Sequence, residues 1–272
     1  MNTEIDLAFI NCVMAIGRSA GAVLKKYANS STNQVFTKED QSPVTLADRE
    51  SDAIIRKQLK AMFPNIPIIS EESSLPPYKT RSRYPLYWLI DPLDGTKEFI
   101  QGLEESCVCM ALIEAGKVVF SLIDDPFREV QYYAIQSKGA FKAEYEGPTI
   151  SIEVRKHSGK QPVRILQSRS KPVVEGMELE SCPITWVPKG SALKFCHLAE
   201  GKAHLYFRWS PFREWDAAAG HLIAEEAGAQ VTDLEGNPVV YGSESLLLKG
   251  IVVDAKPWKL SSVLALRERE SH

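Results

Sequence analysis

Between Trp88 and Phe99 the chain reads Trp-Leu-Ile-Asp91-Pro-Leu-Asp94-Gly95-Thr96-Lys-Glu-Phe, an apolar run that passes straight into two carboxylates, a glycine and a hydroxyl. Two acids separated by two residues can converge once the chain turns between them, and hard divalent cations take such oxygen ligands. Asp94-Gly95 is a turn signal, Gly95 lets backbone approach a ligand closely, and Thr96 adds a hydroxyl beside NH groups that could open a helix and cradle an anion. An Asp-Gly pair alone also ends strands as an Asx turn with no chemistry attached. Two further acidic positions change the balance: the Glu71-Glu72 pair upstream and Asp216, after Trp215, far downstream. Carboxylates gathered without cations repel, so their clustering makes sense if divalent ions bind there. All-oxygen ligation favours magnesium over zinc. Two such ions about 3.5–4 Å apart polarise a phosphoryl group, activate water and stabilise the leaving alkoxide, which is phosphomonoester hydrolysis without a covalent intermediate. An EF-hand loop is a poor fit, because its alternating acids and distal Glu are missing.

The bulk of the chain narrows the partners. It has 272 residues, 44% of them hydrophobic, and a net charge of −3, enough apolar content to fill a core and no basic surface for nucleic acid. Five cysteines (Cys12, Cys107, Cys109, Cys182, Cys196) form no Cys-x-x-Cys, which argues against a disulfide framework and a zinc ribbon. Cys107 and Cys109 share a face if their segment is a strand, a ligand arrangement or, more plainly, buried packing. The histidines (His157, His197, His204, His221, His272) show no metal-ligand spacing; His221 could reach the site from a helix or serve as a structural histidine. Glu4 and Asp6 stand where a secretory signal needs basic residues, and no apolar stretch reaches the roughly 18 to 20 residues that span a bilayer. The expected location is the cytoplasm, with peripheral attachment to the inner membrane left open, and the expected state a monomer or homodimer.

These groups need elements to hold them. Apolar residues at helical spacing predict a first helix over residues 5–27, and Thr45-x-x-Asp48 resembles an N-cap for a second that ends near Pro64. Pro67–Ser70 reads as a brief strand delivering Glu71 and Glu72, followed by a surface loop from Ser73 to Tyr84. Tyr87–Ile90 suits a buried strand that Pro92 stops. Three β-rich stretches, 107–114, 117–124 and 129–135, predict an antiparallel meander. A polar segment over 144–161 divides an N-terminal α+β half (1–150) from a smaller α/β half (151–272), with strands at 163–167, 204–207 and 250–253 and helices at 191–200, 215–227 and 258–268.

Four segments in order, Ser42-Pro-Val-Thr45-x-x-Asp48, Ser70-Glu71-Glu72-Ser73, Asp91-Pro-Leu-Asp94-Gly95-Thr96 and Trp215-Asp216-x-Ala218-Ala219-Gly220, resemble the lithium-sensitive, magnesium-dependent phosphatase superfamily that contains inositol monophosphatase and fructose bisphosphatase. Within it, Lys97-Glu98-Phe99, Ser168-Arg169-Ser170, Gly190-Ser191-x-Leu193-Lys194-Phe195-Cys196 and Ala203-x-Leu205-Tyr206-x-Arg208 are most similar to bisphosphate nucleotidases of CysQ type. The resemblance implies a layered αβαβα sugar-phosphatase fold and two or three magnesium ions per active site. It implies that Glu71, Asp91 and the Leu93 carbonyl hold one ion, and that Asp91 bridges to a second held also by Asp94 and Asp216. Asp48 and Thr96 would orient the attacking water with Glu72 as a neighbouring acid. Gly95 and Thr96 NH groups would face the scissile phosphate, and Lys171, Ser191, Lys194 and Arg208 would contact the substrate beside Asp216. Lys171 stands where the nucleotidases usually carry His, and Gln101–Cys107 lacks their usual Gly-Glu-Phe-Thr, so the contact to the substrate's phosphate or base and a loop bordering the pocket are expected to differ.

Each role has a plainer counterpart. Asp48 and Thr96 could cap helices, Lys194 could be solvated, Arg208 could pair with Glu214, and Trp215 could pack to fix Asp216 at its helix start. The implied reaction is hydrolysis of 3'-phosphoadenosine 5'-phosphate to AMP and phosphate. The alternatives are an inositol-1-phosphate or broad sugar phosphatase, and a non-catalytic phosphate-binding protein on the same fold.

Overall fold

The computed structural model describes residues 5–28, 30, 34–37, 43–159, 161–169, 176–256 and 258–269. Asp6 Oδ1 accepts the Phe9 N–H at 2.8 Å and opens α1 (Leu7–Ala28), whose buried stripe from Phe9 through Val13, Ala20 and Leu24 follows the helical period. By length and composition α1 does reach what a membrane span needs, contrary to expectation, and 56% of that stretch is buried inside the protein. A hairpin of β1 (Val35–Thr37) and β2 (Pro43–Thr45) leads into α2 (Leu46–Met62). Then come β3 (Ile68–Ser70), the one-turn α3 (Tyr78–Arg81) inside the segment expected to be loop, and β4 (Leu86–Asp94). The short α4 (Thr96–Ile100) precedes β5 (Cys107–Glu114), β6 (Lys117–Asp125), β7 (Val130–Ile135), β8 (Gly139–Glu144) and β9 (Thr149–Ile152).

Strands β3 to β9 form a seven-stranded sheet in sequence order, parallel only between β3 and β4. The meander is therefore longer than expected, with β9 lying inside the segment that reads as polar boundary. Strand β4 also runs through Pro92 rather than stopping before it. The reason is a bulge: Asp91 pairs with Cys109 and Asp94 with Cys107, three steps on β4 against two on β5, so Pro92 sits where the ladder asks no N–H of it.

The second half supplies β10 (Val163–Gln167), β11 (Glu178–Leu179), β12 (Cys182–Pro188), α5 (Leu193–Ala199), β13 (Leu205–Arg208) and β14 (Phe212–Arg213). It closes with α6 (Glu214–Glu226), β15 (Gln230–Thr232), β16 (Leu247–Leu248), β17 (Ile251–Asp254) and α7 (Leu260–Arg269). Its six-stranded sheet has the order β11-β12-β10-β13-β17-β15. Alternating faces of β4 explain the stacking. Trp88 and Ile90 pack with α1 and α2, while Tyr87 and Leu89 join the cluster that includes α5 and α6. Val163 and Ile165 of β10 pack instead with Val263 and Leu266 of α7. The result is five layers, α1/α2, large sheet, α5/α6, small sheet and α7, as an αβαβα fold requires.

One buried acid lies under α1, away from the acidic motifs. The Tyr145 hydroxyl donates to both Asp124 oxygens at 2.8 and 2.9 Å, and Gly21 lets the helix approach the carboxylate. Burial pushes the Asp124 carboxyl up to about 7, outweighing the Tyr145 hydrogen bonds and the Arg18 charge. A folded-state pKa above the unfolded value means that the native protein binds this proton more tightly, so the group's stabilisation is complete at low pH and declines as pH rises toward 7. Melting curves of wild type and Asp124→Asn between pH 5 and 8 should show the wild type losing ground to the variant as pH rises, by at most about 1.4 kcal/mol per pH unit. Parallel curves would contradict the shift.

Candidate active site

Asp91 is 3% exposed at the end of β4's regular pairing, and its Oδ1 accepts the Leu93 N–H at 3.0 Å. Glu71 follows β3, and its N–H donates to the Ile90 carbonyl at 3.1 Å, which fixes it beside β4. Asp216 stands in the first turn of α6 with the buried Trp215 beside it. Sheet and helix thus bring carboxylate oxygens of Glu71, Asp91 and Asp216 to within 4.8 Å of one another. Burial raises the Asp91 carboxyl well above the ordinary range, and the charges of Glu71, Asp94 and Asp216 push it the same way. Asp216 is raised too, by burial and then by Asp94 and Glu71, against the pull of Arg208. Three oxygen donors that repel each other, Asp91 buried and Glu71 and Asp216 half-buried, suit a hard dication, whose charge would reverse the repulsion.

Asp94 occupies the far side of the bulge and accepts the Ala192 N–H. Burial raises its carboxyl to about 6, although Lys194 and the Ala192 hydrogen bond work against that. Gly95, at φ 90°, begins α4, and a Cβ there would lie 3.1 Å from Ser191 Cβ and 3.2 Å from the Glu105 carbonyl; its lack of a side chain lets the two halves meet.

The capping and site readings of Asp48 are both observed. One oxygen, Oδ2, accepts from Thr45 N and Oγ1, both at 2.7 Å, in a capping box for α2. The other, Oδ1, accepts from Thr96 Oγ1 at 3.3 Å, and Thr96 Oγ1 is also 3.3 Å from the Leu93 carbonyl. Glu72 follows Glu71 in the turn, half-buried.

A cavity of about 120 Å³ opens beside the acids, lined by Asp94 and Asp216 together with Ser168, Ser191, Lys194 and Arg208. Lys194 is not solvated: it is 6% exposed, donates to the Lys189 carbonyl at 3.2 Å, and has its ammonium pKa lowered by burial despite Asp94 and Glu98. Arg208 lies 3.7 Å from Asp216 Oδ2 and over the Phe212 ring. It does not pair with Glu214, whose carboxylate is buried and accepts from Gly242 N, Ser243 N and Ser243 Oγ. His221 is structural, bonded to the Tyr241 hydroxyl at 2.8 Å. Lys171, Ser170 and Ser42 lie outside the described residues.

Sequence reasoning missed Glu105. Its buried carboxylate grips Arg169 through two bonds of 2.5 and 2.7 Å, Lys189 at 3.2 Å and the Gly190 N–H at 2.8 Å. Burial alone would raise it, but these partners hold it down to about 2. Glu105 therefore ties the segment after β10 to the turn carrying Ser191, two edges of the cavity. Glu105→Ala should cost about 2 kcal/mol of stability and raise KM for the substrate about tenfold while kcat changes little. An unchanged KM in steady-state assays would show that the clasp does not shape the pocket.

Five alternating layers with an acid cluster at the edge of the larger sheet define a class of layered α/β phosphatase folds. The chain belongs to the inositol monophosphatase family, whose model matches residues 7–271. It is 41% identical to the 3'(2'),5'-bisphosphate nucleotidase CysQ of Salmonella typhimurium over 247 residues, 89% of this chain and 97% of that protein. The CysQ of Escherichia coli strain K12 is 40% identical over the same coverage. Among solved structures, CysQ from Bacteroides thetaiotaomicron superposes with a TM-score of 0.73 at 28% identity, covering 92% of this chain and 98% of that one. The IMPase of Thermotoga maritima, at 23% identity and a TM-score of 0.77 over 97% of this chain and 100% of that one, shares the fold.

Proposed function

We propose that the protein is a magnesium-dependent, lithium-sensitive phosphomonoesterase that hydrolyses 3'-phosphoadenosine 5'-phosphate to AMP and phosphate in the cytoplasm. The observation that carries this reading is the convergence of Glu71, Asp91 and Asp216 within 4.8 Å beside a cavity walled by Lys194 and Arg208. Glu71, Asp91 and the Leu93 carbonyl would hold one ion, and Asp91, Asp94 and Asp216 a second. When bound, the ions polarise the phosphoryl oxygens, activate water and stabilise the leaving alkoxide. The protein's own part is orientation and proton handling. Thr96 Oγ1 positions the attacking water, and Asp48 Oδ1, 3.3 Å from that hydroxyl, receives the proton, its other oxygen held rigid by the capping box. Glu72 adds negative potential beside this pair. Lys194 and Arg208 neutralise the phosphate that is not cleaved, which an inositol monophosphate lacks. Residues 1–150 thereby supply most cation ligands and 151–272 the nucleotide contacts.

Purified protein offered this nucleotide, inositol 1-phosphate and fructose 1,6-bisphosphate side by side, with and without magnesium, tests the reading. Turnover should need magnesium, fall on adding lithium, and favour the nucleotide by about tenfold or more in kcat/KM, the effect of one extra charge-assisted contact. Preference for either sugar-like substrate would overturn the nucleotidase assignment.

A further inference from the structure

Cys107 and Cys109, which the proposed reaction does not use, lie fully buried on β5 opposite the β4 bulge. Their sulfur atoms are 3.8 Å apart. That separation is informative. Two thiolates bound at about 2.3 Å to one tetrahedral ion stand about 3.8 Å from each other. The extra residue of the bulge brings Asp94 opposite Cys107, and a carboxylate oxygen of Asp94 lies within 4.8 Å of both sulfurs. A further oxygen is at hand: Ser191 Oγ, on the cavity wall, is 3.5 Å from Cys107 Sγ. Hard ions prefer oxygen and soft ones sulfur, so a two-sulfur, one-carboxylate set selects a different metal from the all-oxygen cluster of Glu71, Asp91 and Asp216.

We propose that Cys107, Cys109 and Asp94 form a second metal site, for a soft divalent cation of the zinc or cadmium class, next to the cavity whose lining Asp94 and Ser191 share. The ion takes the place of the two thiol protons, which leave to solvent. Asp94 belongs to both donor sets. Resting on the function proposed above, a soft cation held here takes Asp94 from the magnesium cluster, so zinc or cadmium inhibits hydrolysis even in excess magnesium.

Cadmium titrated into the full-length protein with magnesium present tests the site without substrate. Expected is a sulfur-to-cadmium ultraviolet absorption band that saturates at one ion per chain. It should persist in Cys12→Ala and Cys182→Ala, while the Cys107→Ala/Cys109→Ala double variant binds about a hundredfold more weakly or not at all. X-ray absorption at the cadmium edge of the wild type needs no variant and should count two sulfur neighbours. A shell of oxygen alone, or an undiminished band in the double variant, would overturn the site. Because neither readout involves turnover, failure of the site and failure of the nucleotidase reading are separately visible.

Discussion

Asp91→Asn is expected to lower kcat by about three orders of magnitude or more, roughly 4 kcal/mol of barrier, while leaving the fold intact. The side chain is 3% exposed and sits among Glu71, Asp94 and Asp216, all of which raise its pKa on top of burial. A neutral amide of the same shape removes the charge that a shared pair of cations needs most. It also removes repulsion that the metal-free protein must bear. The variant should therefore melt at the same temperature as wild type or higher in chelator, and lose the rise in Tm that magnesium is expected to give the wild type by binding the native state. Steady-state kinetics together with melts in both conditions check it, and wild-type turnover in the variant would refute the bridging role.

Gly220→Val should cost about 3 kcal/mol or more of stability, the upper end for overpacking a core. A Cβ at residue 220 would collide with the Cγ and Cδ2 atoms of the Phe195 ring and lie 2.7 Å from its Cβ. Phe195 has no room to retreat, being buried edge-on against Tyr206 at 5.2 Å between ring centres. The contact is the seam between α5 and α6, so strain there reaches Lys194, the neighbour of Phe195 that faces the cavity. Thermal unfolding should shift down by roughly 6 °C or more, with KM raised at temperatures where the variant remains folded. A variant melting within a degree of wild type would mean that the seam can open freely.

Much of the site was legible because its chemistry is carried by residue types at element ends. Glu71 follows a strand, Asp216 opens a helix and Asp91 sits where the regular pairing of β4 gives way to its bulge, and their convergence follows from the αβαβα layering. The path between Asp91 and Asp94 was not legible. Pro92 signals a stop, and only pairing with β5 shows that the ladder skips a step there. Asp48 could not be resolved from spacing alone because its two oxygens do different things. Glu105 lay hidden for another reason. Its partners Arg169, Lys189 and Gly190 are 64, 84 and 85 positions away, beyond any local pattern. The apolar run of α1 likewise says nothing of whether sheet or lipid covers it; the packing of Val13 and Ala20 against the large sheet answers that.

The ion pair between Arg208 and Asp216, 3.7 Å apart in the lining of the cavity, implies an order of loading. Arg208 is engaged with a carboxylate that the proposed reaction assigns to magnesium, and it is free for a second phosphate once that carboxylate is otherwise satisfied. Grip on the nucleotide and supply of the cation are then thermodynamically linked, each strengthening the other. On the proposed function, a cell short of magnesium would lose capture of the nucleotide along with its turnover, and the nucleotide would accumulate unbound.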